Sequence, residues 1–240
     1  MTGNEIKQIK ALSQKKFRDE SGLFVVEGEK MVSEAVRSGW KIKEIYRIEE
    51  IGETAMSRIS SMSSPSPVLA VLEQRKTVTF DAEKGLYIAL DSIRDPGNLG
   101  TIIRIADWFG ADAVLCSPDT VELYNPKVVQ STMGAVFRVK VIYTDLLLAA
   151  DKVHTAGGHV YGTFLSGSNI YGESLDTGVS SPSMVITGNE SNGISRALET
   201  KVDGRLYIPP YPAGVTGSES LNAAVATAVT VAEFRRRLHG

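Results

Sequence analysis

The 240-residue sequence has few of the residues on which many hydrolases depend. Its one cysteine, Cys116, lies in the apolar segment ADAVLC, which excludes an internal disulfide and predicts a buried structural thiol. The three histidines lack metal-ligand spacing, and neither a Ser-His-Asp nor a Cys-His pattern occurs. Metal-dependent hydrolysis and acyl transfer are therefore disfavoured, and no bound metal is expected.

Long apolar runs are absent as well. No run approaches the roughly 18 residues of a transmembrane helix, and the polar start MTGNEIKQIKALSQKK is unlike a signal peptide. A soluble, cytoplasmic protein without a membrane partner is therefore expected. Hydrophobic residues make up 42% of the chain, which is enough to fill a core.

The sequence has no excess of positive charge. A net charge of −2 disfavours a surface built for general nucleic-acid binding. Two local basic clusters remain: Lys15, Lys16 and Arg18 precede the strand-like run LFVV, and three arginines occupy positions 235–237. Either cluster could contact phosphates, although such clusters often form the solvated face of a helix.

The pattern of apolar residues predicts two α/β domains. Residues 1–76 alternate short helical and strand-like patterns, and the polar stretch 77–85 is typical of a linker. In residues 86–240, near-continuous apolar runs alternate with helical patterns, which indicates a mostly parallel sheet covered on both faces. Because ligands bind at the carboxyl ends of such strands, the loops after positions 91, 163, 188 and 208 are candidate sites.

The segment DPGNLGTIIR follows one of these strands. It has Gly97 and Gly100 but no third glycine, and no Walker motif occurs in the chain, so a dinucleotide or phosphate cradle is disfavoured. Asn98 is suited to capping the helix that follows. Helical spacing places one apolar set in the core and points Arg104 away from it, towards solvent. The apolar set is Leu99, Ile102, Ile103 and Ala106.

Two later segments share this position after a strand. They are VITGNESNGIS (185–195) and LYIPPYPAGVTGSESLNAAVATAV (206–229). With the first segment they resemble the SpoU or TrmH branch of the SPOUT RNA methyltransferases, through N-x-G-x-x-x-R (98–104), TGNESNG (187–193), I-P (208–209) and S-L-N (220–222). The segment KKFRDESGLFVVEGEKMV (15–32) resembles the L30e-like domain of that family.

The resemblance implies both a fold and an activity. The fold is a parallel-sheet SPOUT domain over 86–240, whose loops form a deep trefoil knot, after a linker (77–85) and an L30e-like RNA substrate-binding domain (1–76). The activity is methyl transfer from S-adenosylmethionine to a ribose 2′-hydroxyl of structured RNA, with large-subunit ribosomal RNA as the expected partner. The resemblance also implies a homodimer with its sites near the subunit interface.

The resemblance further implies roles for individual residues. The catalytic set is Arg104, Asn98, Ser220, Asn222 and Glu190. The cofactor-binding set is Thr163, Leu165, Gly188, Asn189, Glu190, Tyr207, Ile208, Pro209, Ser220, Leu221, Asn222 and Ala224. The RNA-binding set is Lys15, Lys16, Arg18 and Arg104. Because a guanidinium stays protonated, Arg104 is expected to clamp a phosphate and stabilise the developing alkoxide rather than act as a base.

Some assignments stay open at this point. Glu190 suits the orientation of its loop or of Asn98 as well as catalysis, and Ser220 suits the cap of the last helix. The loop from Ile208 to Ser220 is longer than the usual family form, and Ala223-Ala224 replaces the commoner Val-Ser. The alternatives are a tRNA 2′-O-methyltransferase, an inactive RNA-binding relative, and a nicotinamide-dependent oxidoreductase, which the missing dinucleotide fingerprint disfavours.

Overall fold

The chain forms two compact units in the computed structural model, which describes residues 1–76, 78–172, 174–212 and 219–238. The first unit comprises Met1–Lys76 and Glu122–Arg138. The second comprises the described residues of Thr77–Val121 and Val139–Gly240. Within the described residues, no helix is long and apolar enough to span a bilayer.

The described residues form ten strands, ten α-helices and one 3₁₀ turn. The strands are β1 Leu23–Glu27, β2 Ile42–Arg47, β3 Val68–Glu73, β4 Gly85–Leu90, β5 Ala113–Cys116, β6 Val141–Tyr143, β7 His159–Phe164, β8 Ser168–Asn169, β9 Pro182–Thr187 and β10 Gly204–Tyr207. The helices are α1 Gly3–Ala11, α2 Lys15–Ser21, α3 Glu29–Arg37, α4 Ile48–Ile51, α5 Glu53–Ile59, α6 Pro96–Phe109, α7 Pro126–Ser131, α8 Leu146–Thr155, α9 Arg196–Glu199 and α10 Ala223–Arg236. The 3₁₀ turn is Ala135–Phe137.

The first unit is built on an antiparallel sheet of order β1-β3-β2. Its central strand, β3, is buried almost throughout. Ile6 and Ile9 of α1 and Met56 of α5 belong to the same apolar cluster as Leu69 and Val71 of β3. Their burial stabilises the unit because it removes apolar surface from water.

A segment distant in sequence completes the first unit. Residues Glu122–Arg138 carry α7 and the 3₁₀ turn, and Phe137 packs edge-on against Trp40 with ring centroids 5.2 Å apart. Arg138 also pairs with Glu34 of α3. Each compact unit therefore contains two separate stretches of sequence.

Residues 78–84 of the predicted linker form no helix or strand, yet they are held in place by tertiary contacts. Phe80 is 4% exposed, belongs to the core of the second unit, and packs edge-on against Tyr87. Lys152 Nζ donates to the Phe80 carbonyl over 2.6 Å. The stretch just before β4 is thereby anchored to the second unit.

The second unit is a seven-stranded sheet of order β6-β5-β4-β9-β7-β10-β8, and all of its pairings are parallel. The predicted α/β architecture with a parallel sheet is therefore confirmed. Strands β4 and β9 are neighbours although about a hundred residues separate them, so the order of strands reverses between them. The loops that follow β4 and β9 consequently lie side by side.

The predicted core face of α6 is confirmed, since Leu99, Ile102, Ile103 and Ala106 are all buried. Two apolar or helical patterns extend beyond the elements that form. In FRVKVIY (137–143) only Val141–Tyr143 is a strand, because Phe137 is buried in the 3₁₀ turn. The last helix begins at Ala223, directly after the S-L-N motif. Residues 213–218, in a loop that the expected knot involves, lie outside the described residues, so the knot stays a prediction.

Arg18 differs from the RNA-contacting role expected of it. Its side chain is 2% exposed, and its Nε and Nη2 donate to the two carboxylate oxygens of Glu122, with Nε to Oε1 measuring 3.1 Å. Its Nη1 donates to the Leu12 carbonyl over 2.8 Å. A guanidinium enclosed in this way cannot reach a phosphate, so Arg18 stabilises the first unit instead.

Replacement of Arg18 by alanine should destabilise the protein strongly. The change leaves the Glu122 carboxylate partly buried without its partner, for which a loss of about 3–5 kcal/mol is typical. Lys15→Ala is the matched control, because the Lys15–Asp19 pair is exposed and such pairs contribute about 0–1 kcal/mol. Urea unfolding measures both changes, and equal losses for the two variants would contradict the role given to Arg18.

Candidate active site

The predicted site residues gather at the carboxyl edge of the parallel sheet. Asn98 follows β4, Gly188 to Glu190 follow β9, and Ile208 and Pro209 follow β10. Because every strand of this sheet runs in the same direction, all of these loops leave from one edge. The site is therefore assembled by the order of the strands.

The start of α6 leaves the Asn98 side chain free for tertiary contacts. Asp95 is the N-cap, and its carboxylate accepts from the Asn98 backbone N–H over 2.8 Å, while Pro96 takes the first helical position. The expectation that Asn98 caps the helix was wrong. Asn98 is 8% exposed, and its side-chain amide is instead directed to two other segments.

Asn98 joins three parts of the chain through two hydrogen bonds. Its Nδ2 donates to Glu190 Oε1 over 2.8 Å, and its Oδ1 accepts from Asn222 Nδ2 over 2.8 Å. The Asn98 amide thus uses its donor for Glu190 and its acceptor for Asn222. We call Asn98, Glu190 and Asn222 the amide cluster.

Asn222 belongs to the cluster and also caps α10. Its Oδ1 accepts from the backbone N–H of Ala224 at 2.9 Å and of Val225 at 3.3 Å. The cap expected of Ser220 is therefore made by Asn222, and both Ser220 and Leu221 lie exposed before the helix. Because the cap fixes the Asn222 side chain, its Nδ2 is held in place to donate to Asn98.

The loop after β9 presents Glu190 on a rigid turn. Asn189 and Gly193 exchange two backbone hydrogen bonds of 3.0 and 2.9 Å, and Asn189 Oδ1 accepts from the N–H groups of Ser191 and Asn192. A Cβ on Gly188 would lie 2.2 Å from the Gly193 carbonyl carbon, so only glycine fits there. The turn limits the positions that the Glu190 carboxylate can take.

The predicted cofactor-binding residues offer apolar side chains and backbone groups at the same edge. Leu165 and Leu221 are 70% and 48% exposed, whereas Tyr207, Ile208 and Pro209 are half-buried. The hydroxyl of Thr163 donates to the Ile186 carbonyl over 3.2 Å, and Ala224 is buried with its N–H bonded to Asn222. Such a surface fits an adenine ring, which has apolar faces and a hydrogen-bonding rim.

Arg104 is not part of the amide cluster. It lies six residues beyond Asn98 on α6, about 9 Å along the helix axis, and it is exposed as expected. Among the residues that the structure describes, none is paired with Arg104. The exposed face of α6 also carries Trp108, which is 85% exposed.

The basic clusters have different surroundings. Lys15 and Lys16 are exposed on α2 and face Asp19 and Glu20 at 2.6 and 4.0 Å. At the end of α10, two arginines bind Glu233, and the third donates to the carbonyls that end α6. Hydrogen bonds from Arg236 and then Arg237 lower the pKa of Glu233 to about 2. These three arginines, Arg235, Arg236 and Arg237, are thus engaged within the second unit.

Among the described residues, neither the thiol nor the metal-ligating side chains form a second site. Cys116 is fully buried as predicted, and burial raises the pKa of its thiol. Within the described ranges, no group of three or more metal-ligating side chains occurs. Sequence reasoning missed the capping role of Asp95, for which an Asp before a proline was an available signal.

Comparisons with known proteins agree over the whole chain. The SpoU rRNA methylase family matches residues 85–232, and the MRM3-like substrate binding domain matches residues 3–74. The sequence is 35% identical over 246 residues to the 23S rRNA (guanosine(2553)-2'-O)-methyltransferase RlmP of Bacillus subtilis, with 96% of each chain covered.

Two solved structures are similar throughout. A TrmH-family protein from Porphyromonas gingivalis has a TM-score of 0.87 and 31% identity, with 99% of each chain covered. The S-adenosylmethionine-bound rRNA methyltransferase from Sinorhizobium meliloti has a TM-score of 0.86 and 32% identity, with 99% of this chain and 96% of that chain covered.

Proposed function

The chain belongs to the SpoU rRNA methylase family, and on that premise we propose how its residues share the work of methyl transfer. It is an S-adenosylmethionine-dependent ribose 2′-O-methyltransferase of 23S rRNA. The observation that carries the residue assignments is the amide cluster, which joins one residue from each of the three segments that contain the family motifs.

The carboxyl-edge loops form the donor pocket in this proposal. When bound, S-adenosylmethionine supplies a methyl group activated by its sulfonium. The residues that would hold it include the exposed and half-buried apolar side chains after β7 and β10 and the backbone after β9 and before α10. They are Thr163, Leu165, Gly188, Asn189, Glu190, Tyr207, Ile208, Pro209, Ser220, Leu221, Asn222 and Ala224.

Arg104 is the proposed catalytic arginine. Its guanidinium is exposed and carries a permanent charge, so it can bind an RNA phosphate in bidentate fashion and stabilise the negative charge that develops on the ribose 2′-oxygen. A positioned phosphate also places the hydroxyl for in-line attack, and positioning supplies much of the rate enhancement.

Glu190 and Asn222 act by orienting Asn98. The 2.8 Å contact from Asn98 Nδ2 uses the Glu190 carboxylate as an acceptor, which supports an orienting role over that of a general base. Ser220 is exposed beside the capped start of α10 and is free to contact donor or RNA.

The first unit is proposed to bind the RNA. The match to a substrate binding domain over residues 3–74 supports a substrate-binding domain over 1–76, with 77–85 as the connection and 86–240 as the catalytic domain. Exposed Lys15 and Lys16 would contact phosphates, which positions RNA without reading its sequence. The full-length match to a relative named for 23S rRNA favours ribosomal RNA over tRNA.

A homodimer is proposed through the exposed face of α6 and α10. Trp108 and Leu238 line a groove of about 630 Å³ between the ends of these helices. A large exposed ring such as Trp108, one helical turn from Arg104, is typical of a surface that a partner covers rather than of one that stays in contact with water. A second subunit seated there would bring its surface to the catalytic arginine.

A cytoplasmic location is proposed from the similarity to a bacterial relative.

Arg104→Ala should strongly reduce methyl transfer and leave donor binding intact. Loss of one group that stabilises transition-state charge costs about 100- to 1000-fold in turnover. Transfer to 23S rRNA from cells that lack the protein is measured with labelled S-adenosylmethionine, and donor affinity by calorimetry. Arg104→Lys keeps the charge and loses the bidentate geometry, so intermediate turnover is expected.

Lys140→Ala is the control for this series, because Lys140 is an exposed cation before β6 at the opposite edge of the sheet. Near-wild-type turnover by Arg104→Ala would end the catalytic assignment. Ribose-methylation mapping of the product should find one modified position, which would identify the target nucleotide.

Trp108→Glu should convert the dimer to a monomer. The change removes the indole ring from the proposed interface and puts there a carboxylate that would have to lose its hydration, whereas on the free subunit Trp108 already faces solvent. Light scattering should give twice the 25.9 kDa chain mass for the wild type and one chain mass for the variant. Leu148→Glu is the control, because Leu148 is 62% exposed on α8. A wild-type mass of one chain would contradict the dimer.

A further inference from the structure

A carboxylate at the end of β5, Asp119, has no role in the methyl transfer proposed for the amide cluster and Arg104. Asp119 follows β5 and is half-exposed, and it accepts hydrogen bonds from three side chains. Its Oδ2 accepts from Ser92 Oγ at 2.6 Å and from Arg94 Nη2 at 2.8 Å, and its Oδ1 accepts from Ser117 Oγ at 2.7 Å. The Arg94 contact is an exposed ion pair, a kind that contributes little to stability.

The contact with Ser92 constrains the backbone. Ser92 has a φ of +60°, in the left-handed region that side-chain-bearing residues seldom adopt. Its N–H donates to Ser117 Oγ over 2.8 Å and its Oγ donates to Asp119, so the two donor groups of Ser92 are both fixed from the end of β5. A backbone conformation of this kind persists only where its surroundings enforce it.

The conformation of Ser92 affects the neighbouring loop after β9. The Ser92 carbonyl accepts from Asn189 Nδ2 over 2.7 Å, and Asn189 organises the turn that carries Glu190. Ser92 also stands three residues before Asp95, the cap of the helix that presents Asn98. Asp119 therefore acts on both partners of the Asn98–Glu190 contact.

We propose that Asp119 is a positioning residue for methyl transfer, which holds Ser92 left-handed so that the loops after β4 and β9 keep Asn98 and Glu190 in register. Hydrogen bonds from Ser92 and Ser117 lower the pKa of Asp119, so its carboxylate stays ionised and accepts from all three donors. This role of Asp119 rests on the proposed function of the amide cluster. Asp119 itself is not among the residues proposed to contact the methyl donor or the RNA.

The test uses the full chain and a rescue. Asp119→Ala should lower kcat at least tenfold, measured below its Tm, and speed amide exchange at Gly193, whose N–H bonds the Asn189 carbonyl. Asp119→Ala/Ser92→Gly should recover most of both losses, because glycine adopts positive φ without side-chain support. Asp119→Asn should be intermediate, since one acceptor oxygen remains.

Asp151→Ala is the matched control. It removes an exposed carboxylate of α8 that is paired with Lys201, and it should leave kcat and amide exchange at Gly193 unchanged. Wild-type kcat in Asp119→Ala, or a double variant no better than Asp119→Ala, would overturn the proposal. A lowered Tm with unchanged kcat and Gly193 exchange would assign Asp119 a merely stabilising role. If the wild-type chain transferred no methyl group but the double variant still recovered slow exchange at Gly193, the proposed function would be refuted and the role of Asp119 in holding Ser92 would stand.

Discussion

The site depends on one asparagine side chain that bonds two segments at once. Asn98 donates to Glu190 and accepts from Asn222, which lie 92 and 124 residues away in sequence. A carboxamide is suited to this because it carries a donor and an acceptor on one planar group. Without it, the loop after β9 and the start of α10 would each retain local order but lose their mutual register.

The fold creates the conditions for that contact. Parallel pairing brings every strand end to one edge, and the reversal of strand order between β4 and β9 sets two loops side by side. Asp95 takes over the capping of α6, so the Asn98 amide is available. Asn222 caps α10 with one atom and reaches Asn98 with another, which couples the helix start to the site.

Much of this arrangement could be predicted from the sequence, since strand positions, the parallel sheet and the three motifs depend on local patterns. The roles of individual side chains were harder to predict from the sequence. The local sequence predicts Arg18 to be a surface cation, but in the fold it is paired with Glu122, which lies 104 residues away in sequence. Ser220 has the chemistry of a cap, yet Asn222 stands at the helix boundary. Asp119 and Ser92 have no local signature, because their role exists only where β4 and β5 end together.

Hydrogen exchange with and without S-adenosylmethionine tests whether the proposed methyl-donor site lies at the carboxyl edge of the sheet. Slower exchange is expected in segments 188–193, 206–212 and 219–224, with little change at the opposite edge around His159 and Asp203. Protection around His159 and Asp203, with the carboxyl-edge loops unaffected, would rule out a donor site at the carboxyl edge.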